Sequence, residues 1–90
     1  MYKVFFREKA LKALQRKLHP KDKDRILQRI EVLSEDPFSS SLDVKKLSGF
    51  ENIQKAYRLR VGEIRVIYEL DTQTKKIIIY KIDYRRTTTY

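Results

Sequence analysis

The spacing of apolar residues predicts one strand followed by two helices in the first part of the chain. Residues Tyr2–Arg7 are rich in β-formers and predict a short strand. From Glu8 to Leu18 the apolar residues recur on one helical face, and His19-Pro20 ends this pattern because a residue before proline avoids helical torsions. A second helix is expected from the Pro20–Asp24 region to Asp36-Pro37. The predicted apolar stripes are Ala10, Leu11, Leu14 and Leu18 in the first helix and Ile26, Leu27, Ile30 and Leu33 in the second.

The second part of the chain alternates apolar and polar residues, which predicts strands with one buried face. Two such strands, Tyr57–Val61 and Ile64–Leu70, flank Gly62-Glu63, a pair that suits a two-residue hairpin turn. A third strand, Ile77–Asp83, follows the polar loop Thr72–Lys76. The predicted fold class is α+β, in which an N-terminal strand and a two-helix antiparallel hairpin pack on a mostly antiparallel, twisted β-sheet. The length of 90 residues predicts a single domain over residues 1–90.

The hairpin turn determines which side chains share a face of the sheet. With Gly62-Glu63 in the turn, Arg60 lies opposite Arg65 and Arg58 lies opposite Ile67, and we call this side the arginine face. Two arginines directly opposite each other destabilise a sheet by a few tenths of a kcal/mol or more, so the pattern indicates a phosphate or carboxylate between them. The other face, expected under the helices, receives Tyr57, Leu59, Val61, Ile64, Val66 and Tyr68.

The third strand can be aligned in the same way. Pairing Leu70 with Ile78 brings Asp83 beside Arg65, where the carboxylate could orient the guanidinium. It also adds Tyr80 and Ile82 to the core face. The same pairing predicts three isoleucines on the arginine face: Ile67, Ile77 and Ile79. They form either a satellite cluster under a loop or the tail, or a groove for an apolar partner helix or strand.

Charge and composition narrow the class of partner. Lys and Arg total 21 and Asp and Glu total 12, which gives a net charge of +9. Such an excess favours polyanions, namely nucleic acid, the ribosome, an acidic membrane or an acidic protein, unless it serves solubility alone. With no Cys and one His, neither thiolate chemistry nor a His/Cys metal site is expected. The charged N-terminus predicts no signal peptide, and no apolar run is long enough for a membrane span, so we expect a cytoplasmic protein.

The remaining candidate chemistry is that of arginine and tyrosine acting on a phosphate. The two glycines, Gly49 and Gly62, form no phosphate loop, and His19 beside a helix-breaking proline does not suit a serine-type triad. Arginines can bind a phosphodiester bidentately and stabilise the charge of its transition state. Tyrosine can transfer a proton if nearby cations lower its pKa. Because RNA carries its own 2′-hydroxyl nucleophile, such a site needs no metal.

Several segments of the chain resemble the RelE/ParE toxin superfamily. They are Lys46-Leu47-Ser48-Gly49, the block Tyr57-Arg58-Leu59-Arg60-Val61-Gly62-Glu63-Ile64-Arg65-Val66-Ile67-Tyr68, the start of the first helix (Lys9 to Leu14), Glu35-Asp36-Pro37, and the Arg-Arg tail that ends in Tyr90. The resemblance covers essentially the whole chain. It implies the RelE-like microbial RNase fold and the toxin of a type II toxin–antitoxin system, which cleaves mRNA in the ribosomal A site without a metal.

The resemblance also implies roles for individual residues. Arg65 matches the strand arginine that holds the scissile phosphate, and Arg58 and Arg60 match two basic strand positions. Arg85, or else Arg86, matches a tail arginine, and Tyr90 matches the catalytic tyrosine. Some members have lysines in place of Arg58 and Arg60, and arginine is a poor proton acceptor. The expected phosphate-binding set is completed by Arg86, Lys46 and Lys81, and the candidate bases are Tyr90, Lys81 and Lys46.

The implied partners are mRNA, the ribosome and a RelB-like antitoxin, with no membrane and no small-molecule cofactor. The antitoxin is expected to cover the basic face and the isoleucines Ile67, Ile77 and Ile79. Two other functions fit the same sequence. One is a ParE-like DNA gyrase inhibitor, in which the helix pair carries the interaction and Tyr90 is dispensable. The other is a basic RNA- or ribosome-binding module without catalysis.

Overall fold

One mixed sheet organises the chain, which a computed structural model describes over residues 1–48 and 55–84. Within these ranges the sheet has five strands in the order β1-β5-β4-β3-β2. Strand β1 runs parallel to β5, and the other neighbours are antiparallel. The α+β class and the mostly antiparallel sheet are confirmed. The elements are β1 (Lys3–Phe6), α1 (Glu8–Lys12) with a π-helical continuation (Ala13–Lys17), α2 (Pro20–Glu35), β2 (Asp43–Leu47), β3 (Ala56–Val61), β4 (Ile64–Asp71) and β5 (Lys76–Tyr84).

The two helices lie where the sequence predicts them, but the buried stripe on each helix is narrower than the predicted apolar stripe. Leu11 and Leu27 are 39% and 40% exposed, whereas the residue before each of them, Ala10 and Ile26, is fully buried. One step along an α-helix turns the side chain by roughly 100°, so the residue after a central buried position lies at the flank of the stripe. Between the helices, Leu18 is extended and Pro20 is the first residue of α2.

The helices cover one face of the sheet and form the core with it. The apolar side of the β3–β4 hairpin packs against this helix layer, as predicted. The predicted hairpin pairs are all present, including Arg60 with Arg65 and Arg58 with Ile67. The strands β1 and β2 lie at the two edges of the sheet. Strand β2 was not among the predicted elements, and it pairs Asp43 with Arg60 and Lys45 with Arg58.

Strand β5 carries a register shift that the sequence analysis missed. The turn before it ends at Lys75, which has a left-handed φ of 56°, so Lys76 already pairs with Asp71. Leu70 therefore pairs with Ile77, and the predicted pair of Leu70 with Ile78 is wrong. An irregularity opposite Ile67/Tyr68 leaves Tyr80 as the extra residue of the strand. It restores the predicted pairs further on, Val66 with Ile82 and Arg65 with Asp83.

The shift exchanges the faces of the β5 side chains. Ile77 and Ile79 are both 0% exposed and belong to the core, so their predicted place on the arginine face is wrong. Tyr80 was expected in the core but instead donates its hydroxyl to Glu69 Oε1 at 3.0 Å, on the opposite face. Ile67 is buried but lies outside the core cluster under the helices, in agreement with its predicted position.

The core contains an unusual polar group, the hydroxyl of Tyr68. The Tyr68 ring stacks on Tyr57 with centroids 5.7 Å apart, and the side chain is 0% exposed. The hydroxyl has no hydrogen-bond partner among the described residues. Burial is the main cause that raises the pKa of Tyr68, and Tyr57 adds to it.

Tyr68→Phe is expected to stabilise the protein. Removing a buried hydroxyl without a partner should raise the free energy of unfolding by about 1 kcal/mol at neutral pH. The gain should grow above about pH 10, because unfolded tyrosine ionises there while native Tyr68 stays protonated, so the wild type loses stability as the pH rises. Urea unfolding at neutral and alkaline pH measures both effects. A variant less stable than the wild type would mean that the hydroxyl has a partner.

Candidate nucleic-acid interface

Four of the cations expected from the sequence to bind phosphate lie together on the arginine face, the side of the sheet opposite the helices. Strand β3 supplies Arg58 and Arg60, β4 supplies Arg65, and β5 supplies Lys81. The alternation of each strand directs these side chains away from the core. Two carboxylates from the neighbouring strands, Asp43 and Asp83, lie among the four cations.

Each of the opposed arginines, Arg60 and Arg65, contacts a carboxylate on the side away from the other arginine. Arg60 Nε donates to Asp43 Oδ2 at 2.9 Å, on the β2 side. Arg65 Nη2 lies 3.7 Å from Asp83 Oδ1, on the β5 side. Each guanidinium therefore has an anion on a different flank, which reduces the repulsion across the strand pair. The prediction that Asp83 lies beside Arg65 is confirmed.

A pocket of about 230 Å³ opens on this face. Arg58 is the most enclosed of its cations, with a side chain only 23% exposed. The Nε atoms of Arg58 and Arg65 are buried and have no hydrogen-bond partner among the described residues. A buried charged donor without an acceptor is costly, and a phosphate oxygen is an acceptor that suits guanidinium geometry. The lining consists of Leu47, Arg58, Arg65, Ile67, Lys81 and Asp83.

The side chains around the pocket carry more positive than negative charge. Asp43 is shared by Arg58 and Arg60, with a longer contact of 3.4 Å from Arg58 Nη2 to its Oδ1. Asp83 is likewise shared, since Lys81 Nζ lies 3.5 Å from its Oδ2. Four cations around two carboxylates leave a net positive face that can attract a polyanion.

The structure does not bring every predicted phosphate-binding residue to this face. Lys46 pairs with Tyr57, whose ring packs against the core, so Lys46 belongs to the opposite side of β2. Lys45, opposite Arg58, is the β2 lysine on the arginine face. The sequence analysis missed Lys45 and Asp43 because it did not predict β2, although Val44 between them is a weak sign of strand alternation. The tail residues Arg85, Arg86 and Tyr90 lie outside the described residues.

The apolar residues of the face also differ from the prediction. Ile67 lines the pocket, but Ile77 and Ile79 are enclosed in the core and cannot contact a partner. In their place, Phe5 and Ile78 pair across β1 and β5 on the arginine-face side. Phe5 is 46% exposed.

Tyr80 is the tyrosine that the register shift brings to this side of the sheet, and its environment does not suit a base. Burial and the hydrogen bond to Glu69 raise the pKa of Tyr80, although Arg7, with its guanidinium carbon 5.2 Å from the ring centroid, lowers it in part. Tyr80 therefore stays protonated at neutral pH. The described residues contain no group of three His, Cys, Asp or Glu side chains that could hold a metal ion. No helix in the same ranges combines the length and apolar character needed to cross a membrane.

Comparison with solved structures identifies the family. A chain of the archaeal RelE–RelB complex from Pyrococcus horikoshii OT3 is 33% identical to this sequence, with a TM-score of 0.80, over 97% of this chain and 98% of that one. The chain belongs to the RelE-like toxin superfamily. A chain of the RelBE2 toxin–antitoxin complex from Mycobacterium tuberculosis is 25% identical to this RelE-like protein, with a TM-score of 0.74, over 93% and 98% of the two chains.

More distant relatives share the RelE-like fold. The isolated RelE toxin of E. coli has a TM-score of 0.76 at 17% identity, over 98% of this chain and 88% of that one. No protein-family model matches the sequence, and no curated protein matches it. The superfamily assignment therefore depends on the solved structures and agrees with the resemblance seen in the sequence.

Proposed function

We propose that this RelE-like chain is the toxin of a type II toxin–antitoxin pair and acts as a ribosome-dependent, metal-independent endoribonuclease that cleaves mRNA in the ribosomal A site. The observation that carries the proposal is the pocket on the arginine face. Two of its arginines, Arg58 and Arg65, have a buried Nε–H without an acceptor among the described residues. A phosphodiester placed there would accept hydrogen bonds from the guanidinium groups of both arginines and receive positive charge from Lys81.

The proposed reaction uses the nucleophile of the RNA itself. The 2′-hydroxyl loses its proton to a base and attacks the adjacent phosphorus, and the bond from phosphorus to the 5′-oxygen breaks. The leaving oxygen takes a proton, so the products are a 2′,3′-cyclic phosphate and a 5′-hydroxyl end. Arg65 and Arg58 would bind the phosphate oxygens and stabilise the charge that grows on them in the transition state. Asp83, in contact with both Arg65 and Lys81, would hold these two cations in place.

Residues from the tail complete the proposed site. The superfamily resemblance assigns a second phosphate contact to Arg85 and a proton transfer to Tyr90, with Arg86 as an additional cation. Lys81 is the described residue among the candidate bases that lines the pocket, where its Nζ lies 3.5 Å from Asp83 Oδ2 and is placed to contact a phosphate oxygen. We therefore assign the proton transfer to Tyr90 and charge stabilisation to Lys81.

The proposed partner is a RelB-like antitoxin acting in the cytoplasm. The solved relatives from Pyrococcus horikoshii and Mycobacterium tuberculosis are toxin–antitoxin complexes. On this chain, an acidic segment of the antitoxin would pair with the cations of the arginine face. The apolar contacts would involve Ile67 and the exposed Phe5 rather than the core residues Ile77 and Ile79.

A cleavage assay on translating ribosomes tests the nuclease proposal. Wild-type protein and Tyr90→Phe are added to ribosomes stalled on a defined mRNA, and cuts are mapped by primer extension. The same mRNA without ribosomes is the control, and it should stay intact. We expect wild-type cuts inside A-site codons, 5′-hydroxyl ends, and a loss of about 10²-fold or more in Tyr90→Phe, the range of general acid–base catalysis. Intact mRNA beside a cutting control toxin, with inhibition of DNA supercoiling by gyrase, would instead support the gyrase-inhibitor alternative.

A further inference from the structure

A second basic cluster lies beside the arginine face, where α2 passes the β3–β4 turn. A cavity of about 90 Å³ opens between them. We call this cluster the turn cradle, and its principal polar lining is Arg25, Arg29, Ser41, Asp43, Arg60 and Gly62. None of the roles assigned above uses the two helix arginines.

The helix spacing places Arg25 and Arg29 on one side of α2. Residues four apart on a helix are neighbours, and two like charges there destabilise the helix by about 0.2–0.5 kcal/mol. Arg29 Nη1 makes a long hydrogen bond of 3.5 Å to the Ser41 carbonyl oxygen. Arg25 Nη1 lies 3.6 Å from Asp22 Oδ1, and its side chain remains 56% exposed. The ion pair with Asp22 offsets the repulsion at Arg25, so helix stability leaves only Arg29 unexplained.

Gly62 allows the Arg25 guanidinium to approach the turn closely. Gly62 has a φ of +61°, and a Cβ atom at this position would lie 2.9 Å from Arg25 Nη2 and 3.3 Å from Nη1. A larger residue would displace the guanidinium from the backbone of the turn. Glycine at this position thus serves both the left-handed turn and the cradle.

The charges of the turn cradle match a singly charged anion. Asp22 contacts Arg25 and Asp43 contacts Arg60, and no carboxylate contacts Arg29 within the described ranges. Three cations beside two carboxylates leave one net positive charge. One phosphodiester group carries one negative charge and accepts hydrogen bonds from several guanidinium groups at once.

We propose that Arg25, Arg29 and Arg60 form a second anion site, which binds a phosphodiester group of RNA next to the one held on the arginine face. Asp43 contacts Arg58 at 3.4 Å and Arg60 at 2.9 Å, so it lies between the two sites. The inference rests on the proposed function, since it adds a backbone contact for the same RNA-binding protein. The phosphodiester can come from mRNA or from ribosomal RNA, which share this chemistry.

Salt-dependent RNA binding tests the turn cradle without any need for cleavage. The test variant is Arg25→Gln/Arg29→Gln, and the control is Arg16→Gln/Lys17→Gln, which removes the same charge from exposed positions of the first helix. Binding to a labelled oligouridine is measured by fluorescence anisotropy over a range of KCl concentrations. Each lost phosphate contact should reduce the log–log salt slope by about 0.7. Because the turn cradle holds one phosphodiester group, we expect a reduction of about 0.7 in the test variant and none in the control.

A variant with unchanged net charge distinguishes the effect of the position of Arg25 from the effect of total charge on RNA binding. Gly62→Ala keeps the charge of +9, and its Cβ shifts the end of the Arg25 side chain, so it should weaken oligouridine binding. Urea unfolding should show a less stable but folded protein, because alanine is strained at a φ of +61°. Pelleting with mRNA-free ribosomes distinguishes the RNA sources: a defect there alone assigns the phosphodiester to ribosomal RNA. Equal oligouridine salt slopes and equal ribosome pelleting for the test and control variants overturn the site. Failure of the nuclease proposal can be distinguished from failure of the turn cradle, because the nuclease proposal is tested by whether the wild-type protein cleaves mRNA.

Discussion

Arg65→Ala is expected to reduce A-site cleavage of mRNA by about 10²–10³-fold, the effect of removing one preorganised donor from a developing negative charge. Arg65 is central to the pocket, with an Nε–H that is buried and unpaired among the described residues and an Nη2 oriented by Asp83. Its loss removes a donor that needs no rearrangement during the reaction. Single-turnover cleavage on translating ribosomes measures the effect apart from product release.

Two comparison variants make the Arg65 result specific. Arg65→Lys keeps the charge but not the planar, bidentate donor, so its rate should lie between those of the wild type and Arg65→Ala. Arg16→Ala, on the exposed side of the first helix, should cut at close to the wild-type rate. Stability should change by less than about 1 kcal/mol in Arg65→Ala, because the ion pair with Asp83 is partly exposed. If Arg65→Ala cleaves mRNA at the wild-type rate, Arg65 is not part of the reaction centre.

Ile79→Ala is expected to lower the free energy of unfolding by about 2–5 kcal/mol, the cost of a cavity in a packed core. Ile79 is 0% exposed and pairs with Tyr68, at the point where the strand alternation shifts. The neighbouring Ile78→Ala is the matched control, since Ile78 is only partly buried and lies on the other face. Its cost should be about 1 kcal/mol or less.

Urea unfolding of the two isoleucine variants decides between the two registers of β5. The structural register predicts a large loss for Ile79→Ala and a small one for Ile78→Ala. The register with Leu70 opposite Ile78 predicts the reverse order. A larger loss in the Ile78 variant would falsify the placement of the register shift next to Tyr80.

Local pattern is enough to predict the β3–β4 hairpin and, with it, the arginine face. A two-residue turn at Gly62-Glu63 fixes the register over the whole strand pair, so Arg58, Arg60 and Arg65 follow from the sequence alone. The third strand has no such short connection. Strand β5 starts one residue earlier than predicted, which exchanges the two faces of its first residues. The irregularity opposite Ile67/Tyr68 then restores the predicted faces from Lys81 onwards. No short-range pattern specifies where such a bulge occurs.

The acidic neighbours and the turn cradle depend on contacts between distant segments. Asp43 reaches Arg60 only because β2 occupies the edge beside β3. Asp83 was predictable because the bulge cancels the one-residue shift of β5 before the strand reaches the pair of Asp83 with Arg65. Arg25 and Gly62 are far apart in sequence, and only the packing of α2 against the hairpin brings them together. Periodicity can identify the faces of an element but not which loop each face will meet.

The position of β5 between β1 and β4 also affects when the protein can fold during its synthesis. Chains emerge from the ribosome N-terminus first, and pairings between distant segments form slowly. Strand β1 finds its parallel partner only after residues Lys76–Ile79 have emerged, and the pocket needs Lys81 and Asp83 from the same strand. A nascent chain that has not exposed β5 therefore lacks the closed sheet and the pocket. The ribosome must therefore synthesise this protein beyond Asp83 before the pocket of the arginine face can form.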